Sequence, residues 1–184
     1  ILQYFKLDIY FCMLNLCEVI TKLRLSMPEV LKDDDVVTGN AYLKEKDYEK
    51  AKEHYDIALK RGSYEAMKCL GDMYHYEDET IIDYEKAKIY YEMAMKIDMK
   101  AANCIGELYY FGRGVDLDYR KAKEYYEMAL GEGSISSMYS LGYMYYKGKG
   151  VDQDYSKAKE YFEMAIDKED SDSIHQLGKM YYYG

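Results

Sequence analysis

The chain has 184 residues, about one domain by length. Its 25 Lys+Arg against 34 Asp+Glu give a net charge of −9. That lacks the basic footprint of non-specific nucleic-acid binding but leaves a basic partner open. At 49% hydrophobic, with one Pro and 13 Gly, it has the apolar material to fold and is not a Pro- or Gly-rich disordered chain.

Residues 1–27, ILQYFKLDIYFCMLNLCEVITKLRLSM, match nothing later in the chain. The longest uncharged run, Ile9 to Cys17, is nine residues, too short to cross a bilayer. Lys6 and Asp8 precede an apolar stretch, as in a truncated signal peptide, but no small-residue cleavage site follows. A helix covering the first repeat, or an extension upstream of a start at Met27, are the other readings of this segment. Residues 28–35, PEVLKDDD, read as a linker because they hold a proline, three successive aspartates and no apolar period.

From Val36 the sequence is periodic. Gly39, Gly71, Gly106, Gly142 and Gly178 are spaced 32, 35, 36 and 36 residues apart. Three residues after each stands a Tyr: Tyr42, Tyr74, Tyr109, Tyr145 and Tyr181. Five before the last four stands a small residue: Ala66, Ala101, Ser137 and Ser173. Ala66, Leu70 and Tyr74 thus fall on one face of a helix, the A helix of each repeat. A mid-helix Gly costs about 1 kcal/mol against Ala, so its recurrence implies close approach of a neighbouring helix.

The connector in two copies is G-x-G-V-x-x-D-Y, at Gly112 to Tyr119 and Gly148 to Tyr155. Its first Gly can end the A helix in the left-handed conformation, its Val can fill the space under the loop, and its Asp can cap the next helix. A phosphate loop is not expected, because this G-x-G follows a helix and lacks a third Gly. The copy at Tyr76 to Asp83 keeps the Asp-Tyr but has Glu77, Glu79 and Thr80 instead of glycines, so a looser or differently shaped loop is expected.

A second helix, B, follows with the pattern D-Y-x-K-A-K-x-Y-[YF]-x-M-A. Ala51, Tyr55 and Ala58 recur as Ala87, Tyr91, Ala94, as Ala122, Tyr126, Ala129, and as Ala158, Phe162, Ala165. These share one face, where small residues admit the partner helix and the aromatic fills the space between. The i,i+4 pairs Lys52/Asp56, Lys88/Glu92, Lys123/Glu127 and Lys159/Glu163 mark the solvated face. The recurring aromatic positions account for 25 Tyr in a chain without Trp.

L-G-x-x-Y, G-x-G-V-x-x-D-Y-x-K-A and Y-[YF]-x-x-A together closely resemble the Sel-one-like repeat, a relative of the tetratricopeptide repeat. The resemblance covers Val36 to Gly184, with strong copies at 101–130 and 136–166. The first copy departs: Gly39 to Ala51 is 12 residues against 16 later, with Glu45-Lys46-Asp47 as a short turn, which is tetratricopeptide-like spacing. The resemblance implies an all-α, right-handed superhelical solenoid of stacked antiparallel helix pairs, with about four pairs and a final unpaired A helix. The last copy breaks off where its loop should begin, so the array is expected to continue past Gly184.

The resemblance further implies a concave surface lined by A helices, on which a partner protein or peptide would bind. The candidate positions there are Asp72, His75 and Tyr76; Glu107, Tyr110 and Phe111; Tyr143, Tyr146 and Lys147; and Lys179, Tyr182 and Tyr183. Lys68, Asn103, Tyr139 and His175 join them from three residues before the glycines. Tyr combines contact area with a hydroxyl at low entropic cost, which suits protein recognition. The competing account is that many of these tyrosines only pack between repeats.

No catalytic set, cofactor motif or metal motif is legible. His54 stands where other copies have Tyr, and His75 and His175 lie in non-adjacent repeats. Cys12, Cys17, Cys69 and Cys104 form no CxxC pair and no zinc spacing. Cys69 and Cys104, at equivalent positions, are expected to be reduced, buried and small, which favours a cytoplasmic location. The first functional reading is therefore a protein-interaction scaffold, non-enzymatic, with no nucleic acid and no membrane insertion by the repeats. The second is a spacer within a longer protein. A third, binding or hydrolysis of β-lactams as in a cysteine-rich branch of the family, loses its support: Met95, Leu130 and Ile166 stand where that branch pairs its cysteines.

Overall fold

The computed structural model describes residues 33–183. The segment 1–27, most of the stretch read as a linker, and Cys12 and Cys17 lie outside the described residues, as does the side chain of Tyr183. The described chain holds nine α-helices: α1 (Asp34–Lys44), α2 (Tyr48–Lys60), α3 (Tyr64–Tyr76), α4 (Tyr84–Met95), α5 (Ala102–Phe111), α6 (Tyr119–Gly131), α7 (Ile135–Lys147), α8 (Tyr155–Ile166) and α9 (Ser171–Tyr183). A 3-10 turn, Met99–Ala101, leads into α5. No strand occurs among the described residues. The chain divides into two compact units after Leu70, within α3.

In the first unit α1 and α2 form a hairpin. Asp33 caps α1 through the N–H of Asp35, so the helix begins two residues inside the stretch read as a linker. The turn between the helices is three residues long, and Lys46 takes the left-handed conformation at φ 60°. Ala51, Tyr55 and Ala58 on α2 are fully buried, and the ring of Tyr55 lies over Gly39. Its hydroxyl donates to Asn40 Oδ1 at 2.7 Å. Arg61 closes the hairpin on Asp35 at 2.7 Å.

The second unit runs from Gly71 and repeats the same construction. The B-helix stripes Ala87/Tyr91/Ala94, Ala122/Tyr126/Ala129 and Ala158/Phe162/Ala165 are all buried. Each aromatic meets an A-helix glycine: Tyr91 lies over Gly71, Tyr126 over Gly106, and Phe162 over Gly142. A buried ring takes roughly 150–250 Å² out of water, on the order of several kcal/mol at about 25 cal/mol per Å². The glycine lets the two helices close around it. Ala122, Tyr126, Leu141 and Met144 form a core cluster, with Val151 of the next loop packed against it.

The caps follow the motif. Gly112 and Gly148 end α5 and α7 in the left-handed conformation. Asp83, Asp118 and Asp154 accept backbone N–H bonds at the starts of α4, α6 and α8, as Asp47 does for α2. Each capping Asp also donates its own N–H to the carbonyl of the Tyr three residues after the A-helix glycine. These bonds, Asp47 to Tyr42, Asp83 to Tyr74, Asp118 to Tyr109 and Asp154 to Tyr145, are all 3.0 Å long. The glycine-free loop after α3 is shaped differently, with Asp78 bracing the N–H of Thr80, yet it returns to the same carbonyl.

Candidate functional site

Many tyrosines are consumed by the scaffold. The ring at the same A-helix position stacks on the B helix of its own repeat: Tyr74 on Tyr90, Tyr109 on Tyr125, and Tyr145 on Tyr161, with centroids 5.6–5.9 Å apart. In the first unit His54 takes the aromatic place against Tyr42. A lysine from the first turn of each B helix lies over the A-helix ring: Lys50, Lys86, Lys121 and Lys157, at 5.1–5.2 Å. The same lysines pair with the capping aspartates. This ladder of ring, ring and ammonium takes up seven tyrosines without a ligand.

Several residues expected to face a partner instead belong to an internal polar chain in the second unit. His75 was expected to point into the groove, but it is 1% exposed. Tyr76 stacks on it at 3.9 Å, and Tyr84 and Tyr91 meet it edge-on. Arg113 Nη1 donates to His75 Nε2 at 3.0 Å. A guanidinium only donates, so the imidazole carries its hydrogen on Nδ1, 3.2 Å from the Tyr91 hydroxyl. Tyr91 in turn donates to Asp72 Oδ1 at 2.9 Å. Burial, and then the neighbouring Arg113 charge, hold the His75 pKa down to about 4, so the ring is neutral at pH 7.

A second branch runs through Glu107. It accepts from the Tyr76 hydroxyl and from Asn103 Nδ2 at 2.9 Å. Asn103 is buried and accepts from Ser137 at 3.1 Å and from Ser140 at 3.4 Å. Burial raises the Glu107 pKa, against the pull of these two hydrogen bonds. Asp72, His75 and Asn103 are thus structural couplings between helices.

The open part of the stripe is a groove of about 500 Å³. α5 supplies Glu107, Tyr110 and Phe111, and α7 supplies Ser136, Tyr139, Ser140 and Tyr143. Asp170, Asp172 and Gln176 close it from the start of α9, and Tyr126 lies at its floor. Tyr139 and Tyr143 stack with centroids 6.2 Å apart, and Gln176 donates to the Tyr139 hydroxyl at 3.2 Å. Tyr110 stands edge-on to Phe111 and to Tyr119; burial pushes its phenol up to about 12. Phe111 is 54% exposed. Three carboxylates and no Lys or Arg line this groove.

Glu107, Tyr110, Phe111, Tyr139 and Tyr143, five of the residues singled out from the sequence, therefore surround one groove. Tyr146 faces a separate hollow of about 370 Å³, with Tyr155, Lys159, Leu177, Met180 and Tyr181. Lys147 reaches over the rings of Tyr146 and Tyr143, at 4.7 and 5.7 Å. Lys179 and Tyr182 are exposed on α9. Sequence reasoning missed Ser136, Ser140, Asp170, Asp172 and Gln176. Ser136 and Asp172 lie six residues before their glycines, and Ser140 and Gln176 two before. Extending the stripe one turn toward the N-terminus would have found Ser136 and Asp172, and widening it by one position Ser140 and Gln176.

Among the described residues no group of His, Cys, Asp and Glu could hold a metal ion, and no helix is long and apolar enough to cross a membrane. Cys69 and Cys104 are half-buried and not in a disulfide.

The Sel1 repeat profile matches residues 38–63, 65–96, 100–134, 135–170 and 171–184. A protective antigen of uropathogenic Escherichia coli strains, displaying an SLR fold, superposes with a TM-score of 0.66 at 28% identity over 82% of this chain and 33% of that one. A Sel1 repeat protein from Oxalobacter formigenes gives 0.66 at 27% identity over 80% of this chain and 62% of its own. The Helicobacter pylori cysteine rich protein B gives 0.52 at 25% identity over 67% of this chain and 95% of its own. This chain thus spans about a third of the E. coli antigen and under two thirds of the Oxalobacter protein. No curated protein matches. These neighbours are helical repeat solenoids, and the repeats are of a kind that generally serves as a protein-interaction scaffold and is typically non-enzymatic.

Proposed function

The chain belongs to the Sel1 repeat family, and from that premise we propose that it is an adaptor whose groove between α5, α7 and α9 binds a partner protein or peptide. One observation carries the reading. The stacking ladder takes up Tyr74, Tyr109 and Tyr145, whereas Phe111 and Tyr143 present ring surface to the groove. Exposed aromatics clustered in a hollow are the usual anchors of an interface. No reaction is assigned: His75 and Glu107 are engaged in the coupling of helices.

The test is capture from a lysate on the full chain, beside a Phe111→Ser/Tyr143→Ser variant. A partner held by the parent and lost by the variant, with unchanged helical circular dichroism, supports the adaptor. Equal capture by both baits, or none, sinks it and leaves the spacer reading in front.

A further inference from the structure

We propose that the occupant of this groove is an extended, positively charged peptide segment, with a Lys or Arg side chain seated among Tyr110, Phe111, Tyr139 and Tyr143. The inference rests on the adaptor reading and names the chemistry of its partner.

Charge complementarity decides the sign. Glu107, Asp170 and Asp172 line the groove and no cation does. An acidic segment would meet Asp170 and Asp172, whereas a basic one would find their counter-charges beside aromatic faces. The net charge of −9 would steer it in. Two cations stand at the edge of the groove: Arg113, over the Phe111 ring, and Lys147, whose ammonium is closer to Tyr146 than to Tyr143.

The rings are already shown to accept cations. Arg113 lies 4.8 Å from the centre of the Phe111 ring, and Lys147 lies 5.7 Å from that of Tyr143. The same two repeats use this pairing in the lysine ladder. Ser136, Ser140 and Gln176 add neutral groups able to meet an extended backbone.

The probe is a set of labelled synthetic peptide pools, each about a dozen residues and up to ~40 Å when extended, fixed as strongly basic, neutral or acidic and otherwise degenerate. Binding to the full chain is read by fluorescence anisotropy. One variant is Phe111→Ser/Tyr143→Ser. The other is Asp170→Asn/Asp172→Asn, in which Asn keeps the cap that Asp170 makes to the N–H of Ser173. The expected result is preference for the basic pool, weakening as salt rises, with a loss on the order of tenfold in each variant.

A neutral or acidic pool bound more tightly, and lost with the aromatic variant, overturns the charge assignment and leaves the groove a binding site. Basic peptide held equally well by the aromatic variant shows diffuse attraction to an acidic surface and overturns both readings. Binding of no pool overturns the peptide proposal, and partner capture that depends on Phe111 and Tyr143 then decides the adaptor reading alone.

Discussion

A methyl group added at Gly106 would lie 2.5 Å from Cε1 of Tyr126 and 3.1 Å from the carbonyl oxygen of Ala122. Tyr126 is 2% exposed and has nowhere to retreat. Gly106→Ala should therefore destabilise by about 1–3 kcal/mol through overpacking, although alanine is the better helix former by about 1 kcal/mol. Gly178 has nothing within 4 Å, so Gly178→Ala should raise stability by up to ~1 kcal/mol. Urea titrations followed by circular dichroism would check the opposite signs. A stable Gly106→Ala protein would remove the packing explanation for the repeated glycine.

The connector glycines should differ in what they tolerate. Both Gly112 and Gly114 have φ of 65°, a conformation that Asn adopts more readily than other residues. A Cβ at Gly112 would meet Leu117 at 3.2 Å, but one at Gly114 would lie 2.5 Å from Tyr84 Cβ. Gly112→Asn should cost less than Gly114→Asn, which should lower the thermal midpoint by several degrees.

His75 gives a pH dependence with a definite sign. Its folded pKa, about 4, lies below the usual value of 6.5. In that window the unfolded chain binds the extra proton, so stability is lost as pH falls from 6.5 toward 4. Between pH 7 and pH 5 the loss from this group should be about 2 kcal/mol. Glu107, whose pKa is raised above 4.5, acts in the opposite direction. His75→Gln separates the two. Denaturant midpoints at pH 7 and pH 5 should converge in the variant and diverge in the parent; equal pH slopes would contradict a neutral, buried His75.

The two kinds of groove aromatic should also separate. Tyr139 packs against Phe162 at 5.8 Å and accepts from Gln176, so Tyr139→Ala should cost about 1–3 kcal/mol. Phe111, more than half exposed, should change stability by no more than ~0.5 kcal/mol when cut to Ala. A large loss at Phe111 would make it a packing residue and weaken its role as an anchor.

The sequence by itself determined the local architecture. The period, the left-handed glycines at Gly112 and Gly148, the capping aspartates and the buried stripe around Tyr126 each depend on a residue and its neighbours within one helix or turn. Such features can be read from spacing, because the helical repeat and the cap geometry are fixed. Even the short first turn was legible from the distance between Gly39 and Ala51.

What only the tertiary structure decided lies between repeats. His75 has the same register as Tyr110 and Tyr146, yet it is buried because Arg113, 38 residues later, returns to its ring. Asn103 reads as a groove residue until Ser137 is seen to occupy it, and Glu107 lines the groove while bound by Tyr76 and Asn103. The groove takes its shape and sign from Asp170 and Asp172, at the start of a helix two elements beyond α7. Equivalent positions in a repeat share a backbone environment but not neighbours. Whether a side chain is spent on packing or left for a partner depends on what the next repeat places against it.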